Sequence, residues 1–156
     1  MRVIRVQEEH ISQAARLRED VLREVCGLGE EYAFPEEFRR DTEAYLRRAD
    51  QTTLLMLDEA DRAIACATLC YTALLPTFDH PTGKRAHLMN VYTEPAHRRQ
   101  GISRRLVETL MQEAQARGVT EISLDATAVG RPLYRSLGFQ DNEEGMVYHP
   151  HRRNDA

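Results

Sequence analysis

Residues 86–126 read AHLMNVYTEPAHRRQGISRRLVETLMQEAQARGVTEISLDA, and their pattern decides the fold. Ala86–Thr93 is a mostly apolar run that predicts a strand, and Glu94–Pro95 ends it. Ile102, Leu106, Leu110 and Ala114 stand four apart, with Val107 and Met111 beside them. That spacing puts one apolar stripe on a helix over 102–117. Gly118 suits the left-handed position after a helix end. Val119–Ala126 then alternates apolar and polar residues, as a half-buried strand does. Two strands joined through a helix must run parallel, so this unit predicts a parallel pair inside an α/β domain.

The flanking sequence supplies the rest of the sheet. Val3–Ile4–Val6 is short and β-branched and predicts a first strand. Ile11, Ala14, Ala15, Val21, Leu22 and Val25 recur at helical spacing between Glu9 and Val25, and Gly27 and Gly29 end the run. Pro35 opens a second helix with Phe38, Tyr45 and Leu46 as its expected inner face. Thr52–Leu57 and Ala63–Tyr71 predict a hairpin, followed by a loop over 75–85. Gly130–Leu137 predicts a short helix and Met146–Tyr148 a last strand, with the tail from His149 expected to fray. No linker or repeat interrupts the chain, so residues 1–156 read as a single domain.

Composition excludes several classes. The 156 residues are 42% hydrophobic and 29% charged, enough to bury a core. No run approaches the roughly 20 apolar residues of a membrane span, and charge interrupts the N-terminus too early for a secretory leader. Three cysteines make neither a disulfide framework nor a four-ligand zinc site, and the scattered histidines have no metal-ligand spacing. Cys66 and Cys70 share strand parity and read as small buried side chains. The expectation is a cytoplasmic protein without a metal. A net charge of -4 argues against a nucleic-acid partner. The charge is unevenly spread: residues 8–61 hold fifteen Asp/Glu against seven Arg, whereas residues 84–105 hold six Lys/Arg against Glu94 alone. An acidic first third and a basic centre point to two ligands of opposite sign.

The basic centre has a specific chemistry. His97–Arg105 reads HRRQGISRR and lies where a strand feeds the strong helix. A helix start offers unpaired N–H groups and the positive end of the dipole, which together attract anions. Gly101 lets an anion come close to the backbone, and Ser103 adds no bulk. Arg98, Arg99, Arg104 and Arg105 add charge suited to phosphate. Neither GxxxxGK[ST] nor GxGxxG occurs here, so the chain has no Walker or dinucleotide loop.

The pattern Arg98–x–x–Gly101–x–Ser103 resembles the pyrophosphate loop of GNAT-type N-acetyltransferases, Gln/Arg–x–x–Gly–x–Gly/Ala. MNVYTEPAHRRQGIS resembles that family's strand entering its loop, and GRPLYRSLGF at 130–139 resembles its later helix, with a tyrosine ahead of Leu–Gly–Phe. About thirty residues separate the two motifs, as one helix plus one strand requires. Ser103 departs from the usual glycine or alanine but stays small.

The resemblance implies a GNAT-like fold: a mixed central sheet of six to seven strands with about four helices. Residues 1–85 would form the acceptor side and residues 86–149 the acetyl-CoA side. The implied cosubstrate is acetyl-CoA. Its pyrophosphate would lie over Arg98, Arg99, Gln100, Gly101, Ile102, Ser103 and Arg104, and its pantetheine along Val91, Tyr92 and Thr93. An amine would attack the thioester directly, with Tyr134 as the general acid toward the departing sulfur. Candidate general bases are Glu94, Asp125, Asp79, His80 and the pair Glu30–Glu31, and a water chain is an alternative to all of them. The segment Cys26–Phe38 holds Glu30, Glu31, Glu36 and Glu37, which favours a cationic amine acceptor. The resemblance admits a homodimer. Alternatives in other classes are an acyl-CoA-binding module without catalysis and a phosphate- or nucleic-acid-binding domain.

Overall fold

The computed structural model describes residues 1–151, so the tail expected to fray from His149 lies mostly outside the described residues. Its backbone forms two compact units, residues 1–125 and residues from 126 onward.

The first unit is built on a mixed five-stranded sheet in the order β1 (Arg2–Arg5), β2 (Gln51–Leu57), β3 (Ala63–Ala73), β4 (Lys84–Thr93) and β5 (Glu121–Leu124). Neighbours are antiparallel from β1 to β4, and β4 pairs β5 in parallel, as the strand–helix–strand reading requires. Three helices belong to this unit: α1 (Ile11–Val25), α2 (Glu36–Arg48) and α3 (Ile102–Ala116). Side-chain alternation divides the sheet between them. On one face Leu55, Leu57, Ala63 and Cys66 pack with Ala14, Leu17 and Val21 of α1. On the other face Tyr71 reaches Glu113 of α3, whose Leu106, Val107 and Leu110 are fully buried.

Four expectations change in the structure. The sheet has five strands, because Met146, Val147 and Tyr148 stay unpaired and are 99%, 80% and 81% exposed. Three apolar residues between Gly145 and a proline that lacks an N–H make too few ladder bonds to fix a strand. β4 begins at Lys84, inside the expected loop. β5 is shorter than the alternation suggested, because Val119 and Thr120 are used by the turn: their N–H groups bond to Ala114 and Lys84. No residue of α2 is fully buried; Phe38 and Leu46 are half-buried and Tyr45 is exposed.

The second unit contains α4 (Arg131–Ser136), opened by Gly130 and Pro132. Arg131 and Arg135 both pair with Asp141, and the Tyr134 ring meets Phe139 edge-on at 5.9 Å.

Candidate functional site

Next to the edge strand β5, β4 changes partners along its length. Arg85–Leu88 pair with Glu121–Leu124, but the ladder with β5 ends at Leu88. From Met89 to Thr93 β4 pairs only with β3, so its other edge faces no strand among the described residues. Within this stretch the register with β3 shifts opposite Cys66–Thr68, and Asn90 adopts φ +60°. This is a β-bulge at a residue type that tolerates the left-handed region. Asn90 is fixed by its own bonds. Its amide Nδ2 donates to Thr68 Oγ1 at 3.2 Å, and its carbonyl accepts from Cys66 Sγ at 3.2 Å. Thr68 in turn shares a buried hydrogen bond with Thr53, 2.9 Å long.

The chain leaves β4 through a single 3₁₀ turn, Pro95–His97, and then enters α3. Arg99 has φ +64° and Gly101 has φ +75°. Gly101 stands at the start of α3, where no side chain caps the helix, and no atom lies within 4 Å of where its Cβ would be. The first N–H groups of α3 have no intrahelical acceptor by geometry, so open space meets uncapped donors at a dipole's positive end. These features fit an anionic diphosphate.

The site residues expected from sequence take different positions around this start. Arg99, Gln100 and Gly101 are exposed, and Ile102 is buried as the anchor of α3. Ser103 Oγ is 2.9 Å from Thr93 Oγ1, so its hydroxyl ties the helix start to the strand end. Arg98 folds back: its Nε donates to Thr93 O at 2.8 Å and its Nη2 to Glu24 at 2.7 Å, while its guanidinium lies over the Tyr92 ring. Arg104 pairs with Glu108 one turn on. Val91 and Tyr92 are half-buried, and Tyr92 packs beside the α1 core.

The base candidates separate clearly. Glu94 is 14% exposed and is clamped by Arg62, at 2.6 and 2.8 Å, and by Arg16 at 3.2 Å. Its oxygens are therefore taken up by guanidinium contacts. Asp125 is fully exposed beside His87. His80 bonds to Thr120 at 2.9 Å and lies near Glu121, at the end of β5 away from the α3 start. Asp79, Glu30 and Glu31 are exposed. Cys66 is a buried thiol whose pKa desolvation pushes up to about 12, so it stays protonated and unreactive.

In the second unit, burial raises the Tyr134 phenol above its ordinary value. A Cβ on Gly130 would come within 3.1 Å of the Tyr134 ring, so only glycine fits there without displacement.

Arg18 escaped the sequence reading, as did the point at which β4 and β5 part, Leu88 opposite Leu124; the open edge at Val91–Thr93 was itself implied by the family resemblance. The apolar stripe of α1 runs through positions 11, 14, 15, 21 and 22, and position 18 completes it at helical spacing. A charged residue there was the available signal.

A strand with one free edge feeding a helix opened by a left-handed glycine defines a class of anion- and chain-binding sites. The chain belongs to the acetyltransferase (GNAT) family, which it matches over residues 16–139. It is similar to a predicted acetyltransferase from Clostridium acetobutylicum solved with acetyl-CoA, at 27% identity and a TM-score of 0.83, with 95% of each chain covered. Among curated relatives, the [ribosomal protein bS18]-alanine N-acetyltransferase of Escherichia coli K12 is 37% identical over 68 residues, 42% of this chain and 46% of that protein. Human N-acetyltransferase 8 is 39% identical over 67 residues, 40% of this chain and 30% of that protein. The match therefore spans less than half the length of these curated relatives. No helix of the described residues is long and apolar enough to cross a membrane.

Proposed function

We propose that this chain transfers an acetyl group from acetyl-CoA to the nitrogen of a primary amine by direct attack. The observation that carries the reading is the pairing of two features in one stretch: the free β4 edge at Met89–Thr93 and the uncapped α3 start at Gly101. The N–H groups of residues 101–103 would hold the pyrophosphate, with Arg99 and Gln100 beside them. The edge carrying Val91, Tyr92 and Thr93 would hold the pantetheine as an added strand does. Arg98 and Ser103 would act by fixing the loop to β4, since both are bonded to Thr93.

Acetyl-CoA supplies an activated acyl carbon, and the products are an amide and a free thiol. The chain must orient the amine, donate to the carbonyl oxygen and return a proton to sulfur. A backbone N–H near Val91–Thr93 is the proposed donor to oxygen. Tyr134 is the proposed general acid; its raised pKa keeps the phenol protonated through the physiological range. Glu94 is engaged by Arg62 and Arg16, and in this reading water rather than a protein base carries the amine's proton. The exposed Glu30, Glu31, Glu36 and Glu37 would draw the ammonium form of the acceptor toward the first third of the chain.

Calorimetric titration with acetyl-CoA, with CoA and ATP as controls, tests the reading. The expected result is saturable 1:1 binding of acetyl-CoA, weakened at least tenfold by Gly101→Glu, which sets a carboxylate over the anion site. Tyr134→Phe should then bind normally and lower kcat with amine acceptors by about 10²-fold or more. Failure of acetyl-CoA to bind would overturn the assignment, and unaltered turnover in Tyr134→Phe would remove the tyrosine from the mechanism.

A further inference from the structure

We propose that Arg18 recognises an anionic group on the acceptor, and that the acceptor is an amine bearing a carboxylate, an amino-acid-like compound. The proposal rests on the acetyl-transfer reading above and names its substrate class. Arg18 occupies the inward stripe of α1, yet no carboxylate lies within 4.0 Å of it among the described residues. Arg48, Arg99 and Arg105 also lack such a partner, but they are exposed, whereas Arg18 is half-buried. Its one hydrogen bond goes to a neutral acceptor, Asn90 Oδ1, at 3.5 Å. The nitrogens left over are reached by solvent. Burial lowers its pKa, and the titratable groups around it are the thiols of Cys66, Cys70 and Cys26. A partly desolvated guanidinium with spare donors is costly unless something pairs with it.

Its position gives that cost a purpose. Asn90 is the bulge residue of β4 and directly precedes Val91–Thr93. On the same face of β4, His87 and Met89 are only partly covered. An acceptor lying there would place its nitrogen toward the thioester and its anion toward α1. A guanidinium fork matches a carboxylate in two parallel hydrogen bonds. The group is taken as a monoanion because the neighbouring guanidiniums of Arg16 and Arg98 are already paired with Glu94 and Glu24. A phosphate dianion would lack its second cation.

The test is a set of matched acceptors: amino acids, their carboxamides, the decarboxylated amines and an aminoalkyl phosphate. CoA release at saturating acetyl-CoA is followed for the wild type, Arg18→Gln and Arg18→Lys. The expected result is a preference for carboxylate over carboxamide of about 10- to 100-fold in kcat/KM, expressed in KM. Arg18→Gln should reduce that ratio to near one, and Arg18→Lys should retain part of it. The melting temperature of Arg18→Gln should equal or exceed that of the wild type, since the guanidinium makes one long bond; a role confined to holding the Asn90 bulge would lower it. Equal use of carboxylates and carboxamides, a preference that survives Arg18→Gln, or a preference for the phosphate each overturns the proposal. Loss of acetyl-CoA binding would overturn the underlying reading as well, whereas acetylation of neutral amines without carboxylate preference overturns this inference alone.

Discussion

Helices α2 and α3 differ by two residues in length and by almost everything in how they are held. α3 buries Ile102, Leu106, Val107, Leu110 and Ala114 against the sheet, whereas α2 buries no residue fully. α2 is tied at its surface instead, by Arg47 to Glu8 and Arg39 to Glu19, with Leu46 resting beside the α1 core. Apolar packing resists displacement because each lost contact leaves a void, while exposed ion pairs are weak and re-form in new geometries. The sheet thus carries one helix fixed firmly enough to aim its N-terminus at a ligand. On the other face it carries one that can shift at little cost.

The largest expected effect is on that contrast itself. Leu106→Ala should destabilise the chain by about 2–5 kcal/mol in urea unfolding followed by circular dichroism. Leu46→Ala, at a half-buried position, should cost about 1 kcal/mol. Equal losses would mean that α2 is as firmly held as α3.

The same contrast explains what could be read in advance. Ile102, Leu106, Leu110 and Ala114 advertised α3 because its stability comes from a periodic apolar stripe. The loop at Arg98–Ser103 was legible because a glycine and an arginine cluster must sit where a strand feeds a helix. The exposure of Tyr45 was not legible, because a spacing rule says which residues share a face and not whether that face is covered. Arg98 and Ser103 read as phosphate contacts, yet their side chains bond back to Thr93; sequence fixes the type of donor but not the competing acceptor. The family resemblance implied the open edge at Val91–Thr93, but the point where β4 and β5 part was not legible, because it depends on where the partner strand ends. The five-strand count turned on Met146–Tyr148, a run too short for propensity to decide.

A smaller effect separates clamp from base at the β4 end. Glu94→Gln breaks two charge-assisted contacts to Arg62 and one to Arg16 and should cost about 1–3 kcal/mol. If Glu94 is only a clamp, the variant keeps the pH profile of kcat/KM unchanged. Loss of the acidic limb would make it a base and move catalysis toward the end of β4. At Gly101, a left-handed residue with open space around it, Gly101→Ala should cost about 1–2 kcal/mol from backbone strain alone. No steric loss adds to it, so a much larger drop would mean that the α3 start packs against something.

The smallest effect concerns the α3 face at its far end, where polar contacts replace apolar ones. Burial alone would raise the Glu113 carboxyl. The hydroxyls of Thr52 and Tyr71 and the guanidiniums of Arg5 and Arg117 outweigh it and hold the group below its ordinary value. Glu113 accepts from Tyr71 at 2.5 Å and from Arg5 at 2.6 Å. A carboxyl whose folded pKa lies below its unfolded one stabilises the fold above the unfolded value, near 4.5, and loses that contribution as pH falls through the folded value. Glu113→Gln should therefore lower stability by on the order of 1 kcal/mol at pH 7 and by less at pH 3. Parallel curves for the two proteins across that window would show that the tie between Tyr71 and α3 does not depend on the charge. The polar end of α3 would then be held, like the rest of that helix, by packing.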